Sequence, residues 1–228
     1  MKKIVVLTGA GVSAESGLKT FRDSNGLWRT YRFEEVASPT AWNRDPELVL
    51  EFYNIRRKQL LEVEPNPAHY ALVDLEKKYD VQVVTQNVDD LHERAGSKNV
   101  MHIHGELRKS RSTADQSLIY NIDGWELKWG DKCEKGSQLR PHVVWFGEQV
   151  DMIGPAAKIT RSADVVIVIG TSLAVYPAAG LIYDVPVRIL KFYIDPNAGP
   201  ISGISNLTAI PGKAAKEVPK LVEELLAM

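Results

Sequence analysis

Apolar residues recur along this chain in two periods, and the changes between them outline the secondary structure. Ile4-Val5-Val6-Leu7 is a short continuous apolar run between Lys2-Lys3 and Thr8-Gly9, the pattern of a strand buried on both faces. Further strands are predicted at Val81-Gln82-Val83-Val84-Thr85, Val100-Met101-His102-Ile103, Val143-Val144-Trp145-Phe146, Asp164-Val165-Val166-Ile167-Val168-Ile169 and Val187-Arg188-Ile189-Leu190-Lys191-Phe192-Tyr193-Ile194. Elsewhere the spacing is helical. Asp45-Pro46 is an N-cap followed by proline at the first helical position, and Leu48, Val49, Phe52, Ile55 and Leu60 carry the period to about Leu61. Asn66-Pro67 repeats that start for a helix over roughly 68–78, and a last helix is predicted from near Pro219, burying Leu221, Val222, Leu225 and Leu226. Strands alternating with helices predict an α/β architecture on a parallel sheet.

Between about Arg108 and Leu139 the pattern breaks into a polar, irregular stretch with Trp125, Leu127 and Trp129 as its main apolar anchors. It reads as an insertion, and 228 residues suit one large domain with a smaller one set into it. A net charge of −1 with no dense Lys/Arg block argues against a nucleic acid or a membrane surface as the partner. The apolar run after Lys3 is too short for a secretion leader, and no run approaches the ~18 apolar residues of a membrane span, so a cytoplasmic protein is expected. Cys133 is the sole cysteine, which excludes an internal disulfide and any multi-thiolate zinc site.

The first strand runs into Thr8-Gly9-Ala10-Gly11-Val12-Ser13-Ala14-Glu15-Ser16-Gly17, a glycine loop opening a helix. Backbone N–H groups and the helix dipole at such a junction can hold a diphosphate, with Gly9 and Gly11 allowing a tight turn and close approach. The acidic second-strand end of an ordinary dinucleotide-binding dehydrogenase is missing, since the chain continues into Thr20-Phe21-Arg22-Asp23. Three polar clusters follow predicted strands, where open α/β sheets bind ligands. Thr85-Gln86-Asn87-Val88-Asp89 offers two amides and a carboxylate to a carboxamide or a water. Ile103-His104-Gly105 places an imidazole, the usual general base near neutral pH, beside a glycine expected to leave room for substrate. Alternation puts His102 on the same face, so spacing does not choose between the two histidines. Gly170-Thr171-Ser172 ends a fully apolar strand with small donors suited to a second phosphate or a ribose.

Together these clusters resemble the sirtuin family of NAD-dependent protein-lysine deacylases. The resemblance rests on Gly9 through Gly17 with Phe21-Arg22, on Gln86-Asn87-Val88-Asp89, on His104-Gly105, on Arg140-Pro141-His142-Val143-Val144-Trp145-Phe146-Gly147-Glu148, and on Gly170-Thr171-Ser172 with Val175-Tyr176-Pro177. It implies a Rossmann-like NAD-binding domain of residues 1–30, 79–107 and 140–228, and a small inserted domain of residues 31–78 and 108–139. Carried over, His104 is the base on a ribose hydroxyl, while Asn87 and Asp89 shape the nicotinamide pocket and hold water. Gly9, Ala10, Gly11, Phe21, Arg22, Gln86, Gly170, Thr171, Ser172 and Asp195 contact NAD. Val144, Gly147 and Glu148 on one side, with Val175 and Pro177 on the other, clamp an acylated-lysine peptide as an added strand. The acyl oxygen attacks the nicotinamide ribose carbon, nicotinamide departs, and the acyl group passes to the ribose.

Two departures from the family pattern matter. The usual four zinc-binding cysteines are reduced to Cys133, so no zinc is expected, and packing of Ile119, Tyr120, Trp125 and Trp129 is expected to hold the insert instead. Asp195 stands where the family commonly has an asparagine on the adenosine ribose. On the first long helix Tyr53 and Arg56 share a face at i and i+3. They look like the pair with which the desuccinylase and demalonylase branch grips an acyl carboxylate, although Phe33 stands near a pocket position that succinyl-selective members keep small. Readings kept alongside are a protein mono-ADP-ribosyltransferase and a catalytically silent NAD-binding module.

Overall fold

The computed structural model describes residues 1–18 and 32–228. A six-stranded sheet in the order β3-β2-β1-β7-β8-β9 is built from β3 (Val100–His102), β2 (Asp80–Thr85), β1 (Lys3–Thr8), β7 (Val165–Ile169), β8 (Leu190–Asp195) and β9 (Leu207–Pro211). Every pairing in it is parallel. A second sheet of three antiparallel strands, in the order β5-β4-β6, holds β4 (Gly105–Ser112), β5 (Ile119–Asn121) and β6 (Leu139–Val143).

Successive side chains of a strand point to opposite faces, and each face of the large sheet has its own apolar layer. Ile4, Val6, Val83 and Ile167 point to one side, where they meet Leu72 and Leu75 of α5 (Pro67–Leu75) and Val218, Leu221 and Leu225 of α8 (Ala214–Ala227). Val5, Leu7, Val84, Val166 and Val168 point to the other, against Ala156 of α7 (Ile153–Arg161) and Leu181 and Ile182 of a 3-10 helix (Ala178–Asp184). Helix α4 (Pro46–Leu61) starts where the Asp45-Pro46 signal places it, with the Asp45 carboxylate accepting the Leu48 N–H at 3.0 Å. It packs through Val49, Phe52, Tyr53 and Leu60 against Val36 of α2 (Phe33–Val36), Ala41 of α3 (Pro39–Arg44), Leu107 and Trp145. Two further short helices among the described residues are α1 (Gly11–Ala14) after β1 and α6 (Leu91–Ala95) after β2.

Several elements differ from the sequence pattern. The strand expected at Val143–Phe146 ends at Val143 and belongs to the small sheet; beyond it the Val144 and Phe146 N–H groups turn to the carbonyls of His104 and Ala37. Strands β4, β5 and β9 carry no clean apolar alternation and went unpredicted. Helix α8 begins five residues before Pro219, its first turn held by the Glu15 carboxylate on the Ala215 N–H at 2.7 Å, and it tolerates the proline inside it. In the insert, Ile119, Trp125 and Trp129 are 44%, 39% and 54% exposed, with Trp129 edge-on to Trp42 at 6.2 Å and the Lys58 ammonium 5.6 Å from the Trp125 ring centroid. Ile122 and Leu127 are the buried apolar residues there, against Leu50 of α4.

Candidate active site

Parallel strands bring the ends of β1, β2, β7 and β8 to one edge of the sheet. Thr8 lies beside Thr85 on one side and Ile169 on the other. The Gly9 N–H donates to the Ile169 carbonyl at 3.0 Å, the Gly11 N–H to the Gly170 carbonyl at 2.8 Å, and the Gly170 N–H to the Ile194 carbonyl at 2.9 Å. The two glycine loops are pressed together here. A Cβ on Gly11 would lie 2.6 Å from the Gly170 Cα, and one on Gly170, whose φ is +62°, would lie 2.3 Å from the Val12 nitrogen. These glycines are therefore demanded by loop-to-loop contact in the protein itself, a reason that the nucleotide motif does not contain. Around this contact Thr171 is buried, Gln86 and Asp195 are half-buried, and Ala10 and Ser172 are exposed. Phe21 and Arg22 lie outside the described residues.

The loop after β2 is tied into that junction. Asn87 is buried, and its amide donates to the Gly9 carbonyl and to Ser13 Oγ, both at 3.2 Å. The Gln86 amide reaches Thr171 Oγ1 at 3.2 Å. Asp89 is buried and accepts from the Leu91 N–H at 3.3 Å. Burial pushes its carboxyl up, against hydrogen bonds from Leu91 and Ser13 that hold it down.

The structure separates the two histidines that spacing left equivalent. Strand β3 ends at His102, and His104 follows in the turn before β4. His102 Nδ1 faces the Asn87 carbonyl at 2.8 Å and its Nε2 faces Glu93 Oε1 at 2.7 Å. Both ring nitrogens donate, so the ring carries a proton on each; burial opposes the charge, but Glu93 and the Asn87 carbonyl together raise the pKa. His104 is the opposite case. Its Nδ1 lies 3.1 Å from the Gln86 carbonyl, which accepts only, so Nδ1 carries the proton and Nε2 keeps the lone pair. Burial lowers its pKa, partly offset by the Gln86 contact, and the ring is neutral at physiological pH. The space expected beside Gly105 for a substrate is taken: with φ of +81°, any Cβ there would sit on the His142 carbonyl.

Helix α4 brings Tyr53 and Arg56 to the same neighbourhood. The Arg56 guanidinium stands 5.7 Å from the ring centroids of both Phe52 and Tyr53. Burial lowers the Arg56 pKa, while the charges of Tyr53 and Asp89 act to hold the proton. Burial raises the Tyr53 phenol against the lowering fields of Arg56 and Arg140. Arg140 grips Glu148 with both terminal nitrogens, at 2.6 and 3.0 Å, and its guanidinium lies 3.2 Å from the Trp145 ring centroid. Arg111 reaches Glu148 at 3.3 Å, and the Trp145 N–H donates to it at 2.7 Å. Arg140 and Arg111 thus converge on Glu148, while Arg56 and Arg140 are the positive groups acting on Tyr53.

Other predicted residues fall nearby in less chemical settings. The Glu148 carboxylate is engaged by Arg140, Arg111 and Trp145 rather than left open. Gly147 is exposed in the following turn with φ of +91°. Val175 and Pro177 are exposed before the 3-10 helix, and Asp195 ends β8 by accepting the Asn197 N–H at 2.9 Å. Sequence reasoning missed a buried polar group beneath the junction. Thr8 Oγ1 meets His92 Nε2 at 3.1 Å, the His69 and His92 rings are 4.9 Å apart, and the Asn66 amide ties the start of α5 to the Val12 carbonyl at 2.8 Å. Burial lowers the His69 pKa to about 4 and that of His92 well below its ordinary value. The capping signal at Asn66-Pro67 pointed to the helix start but not to these partners.

A parallel sheet with glycine loops, an amide-carboxylate loop and a neutral histidine at its strand ends defines a Rossmann-like α/β protein. The Sir2 family model matches residues 9–177, and the chain belongs to that family. An NAD-dependent protein deacylase of Helicobacter pylori (strain ATCC 700392 / 26695) is 50% identical over 230 residues, covering 100% of this chain and 99% of that protein. One of Bacteroides thetaiotaomicron is 54% identical over 201 residues, 86% of each. A solved Sir2 homolog–NAD complex superposes with a TM-score of 0.89 at 44% identity, covering 99% of this chain and 90% of that one. A Sir2 mutant holding a deacetylated p53 peptide and 3′-O-acetyl ADP-ribose superposes with a TM-score of 0.82 at 31% identity, over 97% and 92%.

Proposed function

We propose that this chain removes acyl groups from protein lysines at the expense of NAD, with His104 as the general base. The carrying observation is the single tautomer imposed on His104 by the Gln86 carbonyl, which aims the basic Nε2 away from the loop that holds the ring. Ala10, Gln86, Thr171, Ser172 and Asp195, at the strand ends around the glycine contact, offer backbone N–H groups and polar side chains to a dinucleotide. NAD, when bound, supplies a ribose carbon that the acyl oxygen can attack and a nicotinamide that can leave. The residues of the chain supply the rest. His104 Nε2 takes a proton from a ribose hydroxyl; Asn87, locked by Gly9 and Ser13, and Asp89 shape the carboxamide pocket. Gln86, Gly9, Gly11, Gly170, Phe21 and Arg22 belong to the nucleotide side in this reading. Val144, Gly147, Glu148, Val175 and Pro177 flank the peptide, Glu148 by fixing the turn that carries Gly147.

We extend the proposal to acidic acyl groups. The Arg56 guanidinium beside the Tyr53 ring, with Arg140 also acting on that phenol, suits a succinyl or malonyl carboxylate, which accepts charge-assisted hydrogen bonds. We also read the enzyme as metal-free: Cys133 is the sole thiol, and no cluster of three His, Cys, Asp or Glu suited to a metal occurs among the described residues. The division into lobes is kept with one amendment, that residues 67–78 join the large unit because α5 packs on its sheet beside α8.

The test incubates acetyl-lysine and succinyl-lysine peptides with NAD and follows nicotinamide, O-acyl-ADP-ribose and deacylated peptide by mass spectrometry. All three should appear in step, and turnover without NAD overturns the reading. ADP-ribose on protein without deacylation would favour a transferase. Arg56→Met with Tyr53→Phe should lower kcat/KM for succinyl-lysine ~10- to 100-fold, from a lost charge-assisted bond of ~1.5–3 kcal/mol, and largely spare acetyl-lysine.

A further inference from the structure

Helix α4 carries two pairs at i and i+3, turned about 100° from each other around its axis. Arg56 stands by the Tyr53 ring with the Asp89 charge acting on it; one position on, Asn54 and Arg57 face the insert. The Asn54 amide makes a reciprocal pair with the Leu127 backbone, donating to its carbonyl at 3.0 Å and accepting its N–H at 2.9 Å, as a neighbouring strand would. Arg57 is fully buried. Its Nε donates to the Leu107 carbonyl at 2.7 Å, and its Nη1 to the Trp125 carbonyl at 2.6 Å and to Asn54 Oδ1 at 2.7 Å. Nη2 has no partner among the described residues. The acceptors are all neutral. Burial, then repulsion from Arg108 and Arg56, lowers the Arg57 pKa to about 10.

A buried cation without a counter-ion is a poor stabiliser beside an apolar side chain of the same volume, so its contribution lies in what it connects. Arg57 joins three segments distant in sequence: α4, β4 at Leu107 and the 125–127 stretch. The Leu107 N–H in turn donates to the Val88 carbonyl at 2.7 Å, between Asn87 and Asp89. The bonds run from Trp125 through Arg57 and Leu107 to Val88, and end on the loop that Arg56 faces.

We propose that Asn54 and Arg57 are positioning residues, which pin α4 to β4 and the insert and so set Tyr53 and Arg56 against the Gln86–Asp89 loop where the acyl group is held. The inference rests on the deacylase reading above. It assigns to two helix side chains a share in fastening the insert, beside the Trp42–Trp129 contact.

The test measures KM and kcat for acetyl- and succinyl-lysine peptides with the whole enzyme, Arg57→Lys, Arg57→Met and Asn54→Ala, with melting temperatures alongside. Arg57→Lys keeps the charge and part of the reach but loses the fork. It should raise KM for succinyl-lysine about 10-fold and for acetyl-lysine about 3-fold with kcat within about twofold, and Arg57→Met should raise both further. Added to Arg56→Met, it should no longer discriminate between the two acyl groups. Unmoved KM values in folded variants, or a loss of kcat and melting temperature alone, would overturn the proposal. An enzyme that turns over acetyl-lysine only removes the acidic-acyl reading, and positioning is then decided by whether Arg57→Lys still raises the acetyl KM. Should Arg57→Met fail to fold, Arg57→Lys and Asn54→Ala decide.

Discussion

In the large sheet every side chain of β7 is apolar and buried, whereas in the small sheet β4 carries Arg108, Lys109 and Arg111, and β6 carries Arg140 and His142. The large sheet is closed by apolar layers on both faces. The small one gives Leu107 and Val143 to the apolar cluster around α4, adds a short contact of Leu50, Ile122 and Leu127, and is further fastened by guanidinium groups on Glu148 and on backbone carbonyls. Apolar burial is non-directional and tolerates small shifts, while a buried ion pair or a fork on two carbonyls holds only in one geometry. The contrast sets the Arg140–Glu148 pairing in a directional frame and the glycine-loop junction on an apolar one.

The strongest test acts where the two regions meet. His104→Ala should reduce turnover ~10²- to 10⁴-fold, the usual share of a general base, with the melting temperature nearly unchanged. A rate close to that of the parent would move the base elsewhere.

Next come matched cuts in the two frames. Glu148→Gln leaves Arg140 and Arg111 without their counter-charge and should cost about 3–5 kcal/mol, whereas Glu148→Gln with Arg140→Met should recover part of it. Ile167→Ala, at a fully buried position of β7, should cost ~2–5 kcal/mol with no such recovery on pairing. Urea titrations followed by fluorescence of the Trp42–Trp129–Trp145 group and by far-UV circular dichroism compare the small sheet with the whole. A Glu148→Gln loss below about 1 kcal/mol would dissolve the contrast.

Acid sharpens it from the other side. His69 has a folded pKa of about 4 against an unfolded value near 6.5, so the unfolded chain binds the extra proton and stability falls as pH drops through that window. Roughly 2 kcal/mol should be lost between pH 7.5 and 5 from His69, with more from His92. Glu148 is held below its ordinary value, burial notwithstanding, by Arg140 and Arg111, so the small sheet's ion pairs should outlast this loss. His69→Gln should flatten the pH dependence of urea midpoints, and an unaltered profile would remove the histidines from the account.

The smallest effect concerns metal. Dialysis against a chelator should leave activity and melting temperature unchanged, and elemental analysis should find well below one zinc per chain. Stoichiometric zinc would replace the side-chain fastening proposed for the insert.

The apolar runs and the Asp45-Pro46 and Asn66-Pro67 signals were enough to foresee an α/β chain, the β1, β2, β7 and β8 strands and the start of α4, because burial of whole faces writes a period into the sequence. The glycine loops and the Gln86–Asp89 and His104 clusters were legible as chemistry for the same local reason. Strands β4, β5 and β9 were not: β4 buries polar Ser110, Arg111 and Ser112, and β5 and β9 are short and only partly covered. Spacing could not choose His104 over His102; the Gln86 carbonyl on one ring and Glu93 on the other did so in three dimensions. Nor could it show that Gly105 makes way for the His142 carbonyl, or that Arg57 spans 50 positions to Leu107. A hydrogen bond between distant residues leaves no period in the chain, because its geometry exists only once the segments that carry donor and acceptor have packed.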